Sequence, residues 1–359
     1  TPILAPTVDT LRLTGSDGYR RLLRTVNTSA EQPLTLEQRV QALYPQHSAQ
    51  QVQATLADLQ NHPAGARAEL SRLRNEYARL THDLSRWDNA LPTVDHNGTA
   101  LTAPELREAR LARRFLRHSL EKSWRRESDG SIGHMLFIPG SIRGDLPTIS
   151  GDFSHVAWLQ INGRNGTTHL NGFLNNFPGL LHLELQDFSM PGLPESITSM
   201  PALRQLVVRN CGITLSLADQ QVLASLPNVS ILDLQDNPLA LPPDVHALAQ
   251  LRELNLANTG IAIPPADLLN HPRLIAVNFY GNRITELPPP LLTLGAELSN
   301  GFNFANNPLS AAAREQIKIH YNRTGKDFGV LAEQVDTDRV RALFPEQNVR
   351  QATDLLYRL

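Results

Sequence analysis

The chain has 359 residues, 41% of them hydrophobic and 19% charged, with a net charge of −2. That balance gives no global pull toward nucleic acid or anionic membrane. A single cysteine excludes an intramolecular disulfide framework or an all-Cys zinc cluster, and no apolar run approaches the roughly 18 residues of a membrane span. The first residue is Thr and no signal-peptide core follows, so the chain is expected to be an excerpt or a processed product.

Residues 1–62 read as a helical linker. Its segment Arg39-Val-Gln-Ala-Leu-Tyr-Pro-Gln, running to Leu59, recurs without gaps as Arg339-Val-Arg-Ala-Leu-Phe-Pro-Glu, running to Leu359. The same small helical module is therefore expected on both sides of the central region. Because its second copy stops at the last residue, the natural protein is expected to continue further.

Residues 63–127 read as a helical hairpin. Over 66–91, Leu70, Leu73, Tyr77, Leu80, Leu84, Trp87 and Leu91 alternate three- and four-residue steps, a coiled-coil-like seam. A turn-like Pro92–Gly98 leads to a second helix over 104–126, with Pro104 in its first turn and Leu106, Ala109, Leu116, Leu120 and Trp124 as its apolar stripe. This helix also carries Arg107, Arg110, Arg113, Arg114, Arg117, Lys122, Arg125 and Arg126 beside four glutamates. The favoured reading is a solvated face with Glu pairing; a patch for nucleic acid or lipid headgroups is the sharper one. Residues 128–155 are expected to form a cap strand and loop.

From 156 to 310 the pattern LxxLxLxxNxL recurs about seven times, starting at Val156, Leu180, Leu203, Val229, Leu251, Leu274 and, with a slip, Ser299. A period of 22 to 26 residues with these offsets is the leucine-rich-repeat signature. Each LxL pair predicts a short strand with two side chains inward and the one between them outward. The position held by Asn237, Asn282, Asn307 or Cys211 is expected to turn the chain inward and satisfy interior amides. Segments such as Leu241-Pro242-Pro243 favour extended or turn backbone on the other side. The fold class follows: an α/β leucine-rich-repeat solenoid with a parallel concave sheet, an irregular convex side, an N-terminal helical hairpin cap and small flanking helical segments. Residues 311–359 are expected to add a C-terminal helical cap and the second module.

No HExxH, P-loop, GxGxxG or GxSxG motif occurs. No catalytic residue, metal ligand or cofactor is assigned; His155, His169 and His182 lack a carboxylate or thiol at fixed spacing, and Cys211 reads as a buried repeat residue. Function is expected on the outward strand positions, which fall in three columns. The candidate target-binding residues are Trp158, His182, Glu184, Gln186, Arg209, Asp233, Gln235, Asn255, Asn278, Tyr280 and Asn303. Scattered aromatics and an arginine among polar residues suit a protein-binding face.

The hairpin (Leu70…Trp87, then Arg110…Trp124-Arg125-Arg126), the repeats FPGLLHLEL and LPNVSILDLQDNPL, and the closing NNPLSAAAREQI and YNRTG together resemble large leucine-rich-repeat proteins of plant- and animal-associated proteobacteria. Many of those carry a novel E3 ligase (NEL) domain. The resemblance implies a secreted effector reaching the host cytoplasm, whose repeats bind a host protein. It also implies a separate helical domain, not visible in this chain, whose catalytic Cys takes ubiquitin from a charged E2. The alternative is a binding or structural module of a large toxin with a different catalytic domain. Neither reading involves nucleic acid, a transmembrane segment or a cofactor.

Overall fold

A computed structural model describes residues 34–330 except 96–97, 128–133, 141 and 164–169. The second helical module (339–359) and His169 therefore lie outside the described residues. The chain divides into two compact units, Thr1–Ser85 and Arg86–Leu359.

In the first unit, helices α1 (Leu36–Leu43) and α2 (Ala49–Asn61) pack as a pair, so the 39–59 module is a helix–turn–helix. Both open with a capping box: the Thr35 and Ser48 hydroxyls accept from the amides of Gln38 and Gln51, whose side chains accept back. The long helix α3 (Ala66–Asn89) begins in this unit, and its seam residues Leu70, Tyr77, Leu80 and Leu84 are buried as their spacing predicts.

The second unit contains helix α4 (Ala103–Trp124), which lies against the first strand of a parallel sheet. The sheet has eight strands in strict chain order: β1 (Met135–Ile138), β2 (Trp158–Asn162), β3 (His182–Gln186), β4 (Gln205–Arg209), β5 (Ile231–Asp233), β6 (Glu253–Asn255), β7 (Ala276–Asn278) and β8 (Phe302–Asn303). The cap strand expected within 128–155 is β1. The chain is a leucine-rich-repeat solenoid. Its return segments hold α5 (Asn171–Leu174), α6 (Leu217–Ala224), α7 (Ala296–Ser299) and 3₁₀ turns, including Glu195–Ser199 and Pro289–Thr293. Helix α8 (Ala311–Thr324) follows the last repeat.

The interior is built from the LxL residues, Leu159, Leu183, Leu206, Leu232 and Leu254 among them, all essentially without solvent contact. An asparagine ladder runs beside them. Asn282 Oδ1 accepts from the amides of Thr259 (3.1 Å) and Ile261 (3.2 Å), while its Nδ2 donates to the carbonyls of Leu256 (2.6 Å) and Phe279 (3.0 Å). Asn237 and Asn307 make equivalent bonds. Each bridges two repeats and satisfies backbone groups that burial would otherwise strand.

The slip in the seventh copy coincides with a polar contact. Ser299 stands where other copies carry Leu or Val; its hydroxyl meets His320 Nε2 (3.0 Å) from α8, and His320 stacks on Phe328 at 4.6 Å between ring centroids. Arg323, within the YNRTG stretch, donates to the carbonyls of Leu292 and Leu294, both at 2.8 Å. The last repeat is thus closed by polar bonds as well as by rings.

The basic helix departs from a simple solvated face. Arg113 is buried: it donates to the carbonyls of Trp87 and Arg143 and lies 4.4 Å over the Trp87 ring. Burial pushes its pKa down, so these carbonyls and the ring stabilise its charge in place of water. Arg117 follows the expected pairing, with Glu121 at 3.0 Å.

Candidate functional site

The outward columns read from the sequence are the columns of the sheet. Trp158 pairs with His182, His182 with Gln205, Gln205 with Ile231 and Ile231 with Glu253. In the middle column Gln160, Glu184, Val207, Asp233, Asn255, Asn278 and Asn303 follow one another in register. The third column continues beyond the strand ends: the residue after each member donates its amide to a third-column carbonyl of the next repeat, as in Asn210 to Gln235 (3.1 Å) and Asn258 to Tyr280 (2.8 Å). Of those donors Asp187, Asn210, Asp236, Asn258 and Gly281 have positive φ, as does Asn306 after the last member. Only Asn, Asp and Gly adopt that backbone routinely, so one edge of the face is a row of these three types. Gly281 has a second reason, since a Cβ there would strike the Asn258 side chain.

At the β1 end the face is aromatic and apolar. Trp158 and His182 stack with ring centroids 4.1 Å apart, and His182 Nδ1 meets the Gln205 side chain. Its Nε2 lies 3.6 Å from Glu184, whose other oxygen accepts from Gln186 at 2.5 Å. The Trp158 indole N–H has no hydrogen-bond partner among the described residues. Beside it, Met135 and Phe137 of β1 occupy the first and middle columns, 41% and 38% exposed. Sequence reasoning missed these two. The signal was present in Met-Leu-Phe-Ile, where Leu136 and Ile138 alternate inward, but no LxxN follows to mark a repeat.

At the centre Arg209 binds Asp233 through Nε (2.9 Å) and Nη2 (2.6 Å). This bond is the main reason the Arg209 pKa is raised. Asp233 also accepts from Asn255 Nδ2 (3.0 Å) and from the Gln235 amide (3.0 Å). It is 4% exposed. As a direct contact residue Asp233 is therefore a poor candidate; it holds Arg209 in place, and the guanidinium remains half-exposed.

Toward β8, Asn255, Asn278 and Asn303 each use Oδ1 to accept the amide two residues on, at 3.2, 3.1 and 3.0 Å. Part of each side chain is thus committed to its own turn. Tyr280, 38% exposed, is the large side chain that this end presents.

Cys211 takes no part in the face. Its thiol donates to the carbonyls of Arg209 (3.1 Å) and Leu185 (3.5 Å), and burial pushes its pKa up to about 11. A thiol so buried is a poor nucleophile at neutral pH. His155, grouped with His182 in the sequence reading, instead packs at 4.8 Å on His134 and meets the Ser123 carbonyl at 2.8 Å.

No protein-family model matches the chain, and no curated protein matches it. Similar solved structures include the functional domain of InlJ from Listeria monocytogenes, which includes a cysteine ladder. It is 20% identical with a TM-score of 0.38, covering 51% of this chain and 37% of that one. Another is the leucine-rich-repeat domain of the type III effector XopL, 16% identical with a TM-score of 0.37, covering 75% of this chain and 95% of that one. The chain spans little more than a third of the InlJ chain. Among the described residues no helix is long and apolar enough to cross a membrane.

Proposed function

We propose that the strand face binds a protein, and that the chain is the target-recognition part of a secreted bacterial effector of the NEL type, acting in the host cytoplasm. The observation that carries the binding reading is the placement of Met135, Phe137 and Trp158 at one end of an in-register face, Arg209 at its centre and Tyr280 toward the other end. Rigid aromatics and an anchored arginine supply contact area at low entropic cost, the chemistry of an interface hot spot. The polar columns between them form a rim able to exchange water for partner groups. The effector reading rests on the resemblance of the hairpin, repeats and YNRTG closure. Ubiquitin transfer belongs, on this reading, to a separate Cys domain that meets a charged E2; Cys211 is not its nucleophile.

Replacing Trp158, Arg209 and Tyr280 together by Ala is expected to weaken capture of a host partner by about a hundredfold or more, while the chain still unfolds in a cooperative transition lowered by the loss of the Arg209–Asp233 bond. Unchanged capture would move the site to the convex side or the hairpin. For the ligase part, discharge of ubiquitin from a charged E2 by a longer form of the protein, but not by residues 1–359, is the expected result. Discharge by residues 1–359 alone would overturn the assignment of Cys211.

A further inference from the structure

Helix α4 has a second face that the repeats do not use. Leu111 and Phe115, one turn apart, are 66% and 52% exposed. Around them stand Arg107, Arg110, Arg114 and Lys122, all exposed and without an ion pair among the described residues. Glu108 is the acidic residue within this patch, whereas Glu105 faces Arg143 (3.6 Å) and Glu121 faces Arg117 (3.0 Å). The expected Glu pairing thus accounts for Arg117 and for Arg125, which faces Glu127 (3.9 Å), and leaves Arg107, Arg110, Arg114 and Lys122 without an ion pair among the described residues. They gather on one helix of a chain whose net charge is −2. Arg110 and Arg114 also border a hollow of about 380 Å³, lined further by Asp88, Asn89 and Thr93.

From this we infer that the outward face of α4 docks on an anionic lipid surface. Phosphate-bearing headgroups would meet Arg107, Arg110 and Arg114, while Leu111 and Phe115 enter the headgroup boundary. Charge complementarity argues for an anionic partner, and the exposed apolar pair decides which kind. Contact with a nucleic-acid backbone uses cations and leaves Leu111 and Phe115 in water. An interfacial helix uses both, basic residues beside Leu and Phe. The opposite side of α4 is occupied by the fold, through Ala109, Leu116 and Leu120. Only two apolar side chains can enter, so binding should be weak, reversible and salt-sensitive.

The test is co-sedimentation of the full chain with phosphatidylcholine vesicles with and without 30% phosphatidylserine. Binding is expected to the anionic vesicles alone and to fade as salt rises. Arg107→Gln/Arg110→Gln/Arg114→Gln should lower the partition coefficient about tenfold or more. Leu111→Ser/Phe115→Ser should lower it by about tenfold at unchanged charge. All five side chains are exposed, and an unchanged thermal transition would show that the fold is kept. A Phe115→Cys variant provides the second readout, because Cys211 is buried and an environment-sensitive label would go to position 115. The label should brighten on anionic vesicles and stay dim on neutral ones. Equal binding to neutral vesicles, no binding, or indifference to either set of substitutions would overturn the proposal. So would a dark label on anionic vesicles together with tight binding to duplex DNA, which would make the patch a polyanion site.

Discussion

The two halves of the strand face are built by different local rules. In β2, β3 and β4 the middle residue is Gln160, Glu184 or Val207, and each strand runs for five residues. In β5, β6, β7 and β8 the middle residue is Asp233, Asn255, Asn278 or Asn303, and the strand stops after three residues or two. The cause is one methylene. A side chain the length of Asp or Asn reaches the amide two residues on and closes an Asx turn, whereas Glu and Gln are too long and Val has no acceptor. The first half therefore presents a flat ladder with large side chains upright on it. The second presents a row of turns from which Tyr280 projects. A partner would meet area at one end and a scalloped polar edge at the other.

Asp233 is the joint between the two halves, and its removal should have the largest effect. Its carboxylate accepts four hydrogen bonds, two of them from Arg209. Asp233→Ala leaves the guanidinium and the Gln235 N–H without this acceptor, and leaves the Asn255 side-chain amide with Gln235 Oε1 alone. We expect a loss of about 2–3 kcal/mol in chemical denaturation, from the cost of breaking a charge-assisted network at a buried site. A loss below about 1 kcal/mol would mean that the halves are not joined through this residue.

Acid should separate the two ends next. His155, between β1 and β2 in the chain, has its pKa pushed down to about 4, chiefly by burial; the Ser123 carbonyl opposes this, Arg126 and His134 add to it, and Asp152 opposes it weakly. A folded pKa below the ordinary 6.5 means that the unfolded chain binds the proton more tightly. The stabilisation is present above about pH 6.5 and fades as pH falls from there toward about 4. Amide protection, corrected for intrinsic exchange, should drop in β1 and β2 before β7 and β8 across that window. His155→Gln should remove the difference. Equal loss at both ends in the wild-type chain would rule out His155 as the cause.

The register of the face is legible in the sequence because the LxL spacing, the alternation of side chains and the near-constant period all fix the same alignment. Likewise, the ladder asparagines announce themselves through their offset from LxL. Other features need knowledge of direction that residue types do not give. Arg113 lies on the same stripe as Ala109, Leu116 and Leu120, yet as one of eight basic residues on the helix it reads as solvated; only Trp87 and the Arg143 carbonyl show why it turns inward. Asp233 looks like any outward acid until Arg209 and Asn255 are seen to converge on it. Strand β1 escapes the repeat search because it lacks the turn asparagine. The row of Asn, Asp and Gly beside the third column was readable, and a positive φ is what those residue types permit; it holds from Asp187 onward.

The Asx rule predicts a graded response to side-chain length. Asn278→Gln should cost about 1 kcal/mol, because the lengthened amide no longer fits the Tyr280 N–H, whereas Glu184→Gln should stay within about 0.5 kcal/mol.

The smallest effect, and the most direct test of the rule, comes from shortening a residue in the long-stranded half. Gln160→Asn places an acceptor where it can reach the amide of Asn162. The new turn bond would offset most of the ladder bonding it displaces, so stability should change by less than about 0.5 kcal/mol. Its signature is local: amide protection at the end of β2 should fall toward that of β6, while β3 keeps its five-residue pattern. If β2 instead keeps its full protection, the short strands toward β8 must owe their length to the tighter return segments behind them, not to the side chain in the middle column.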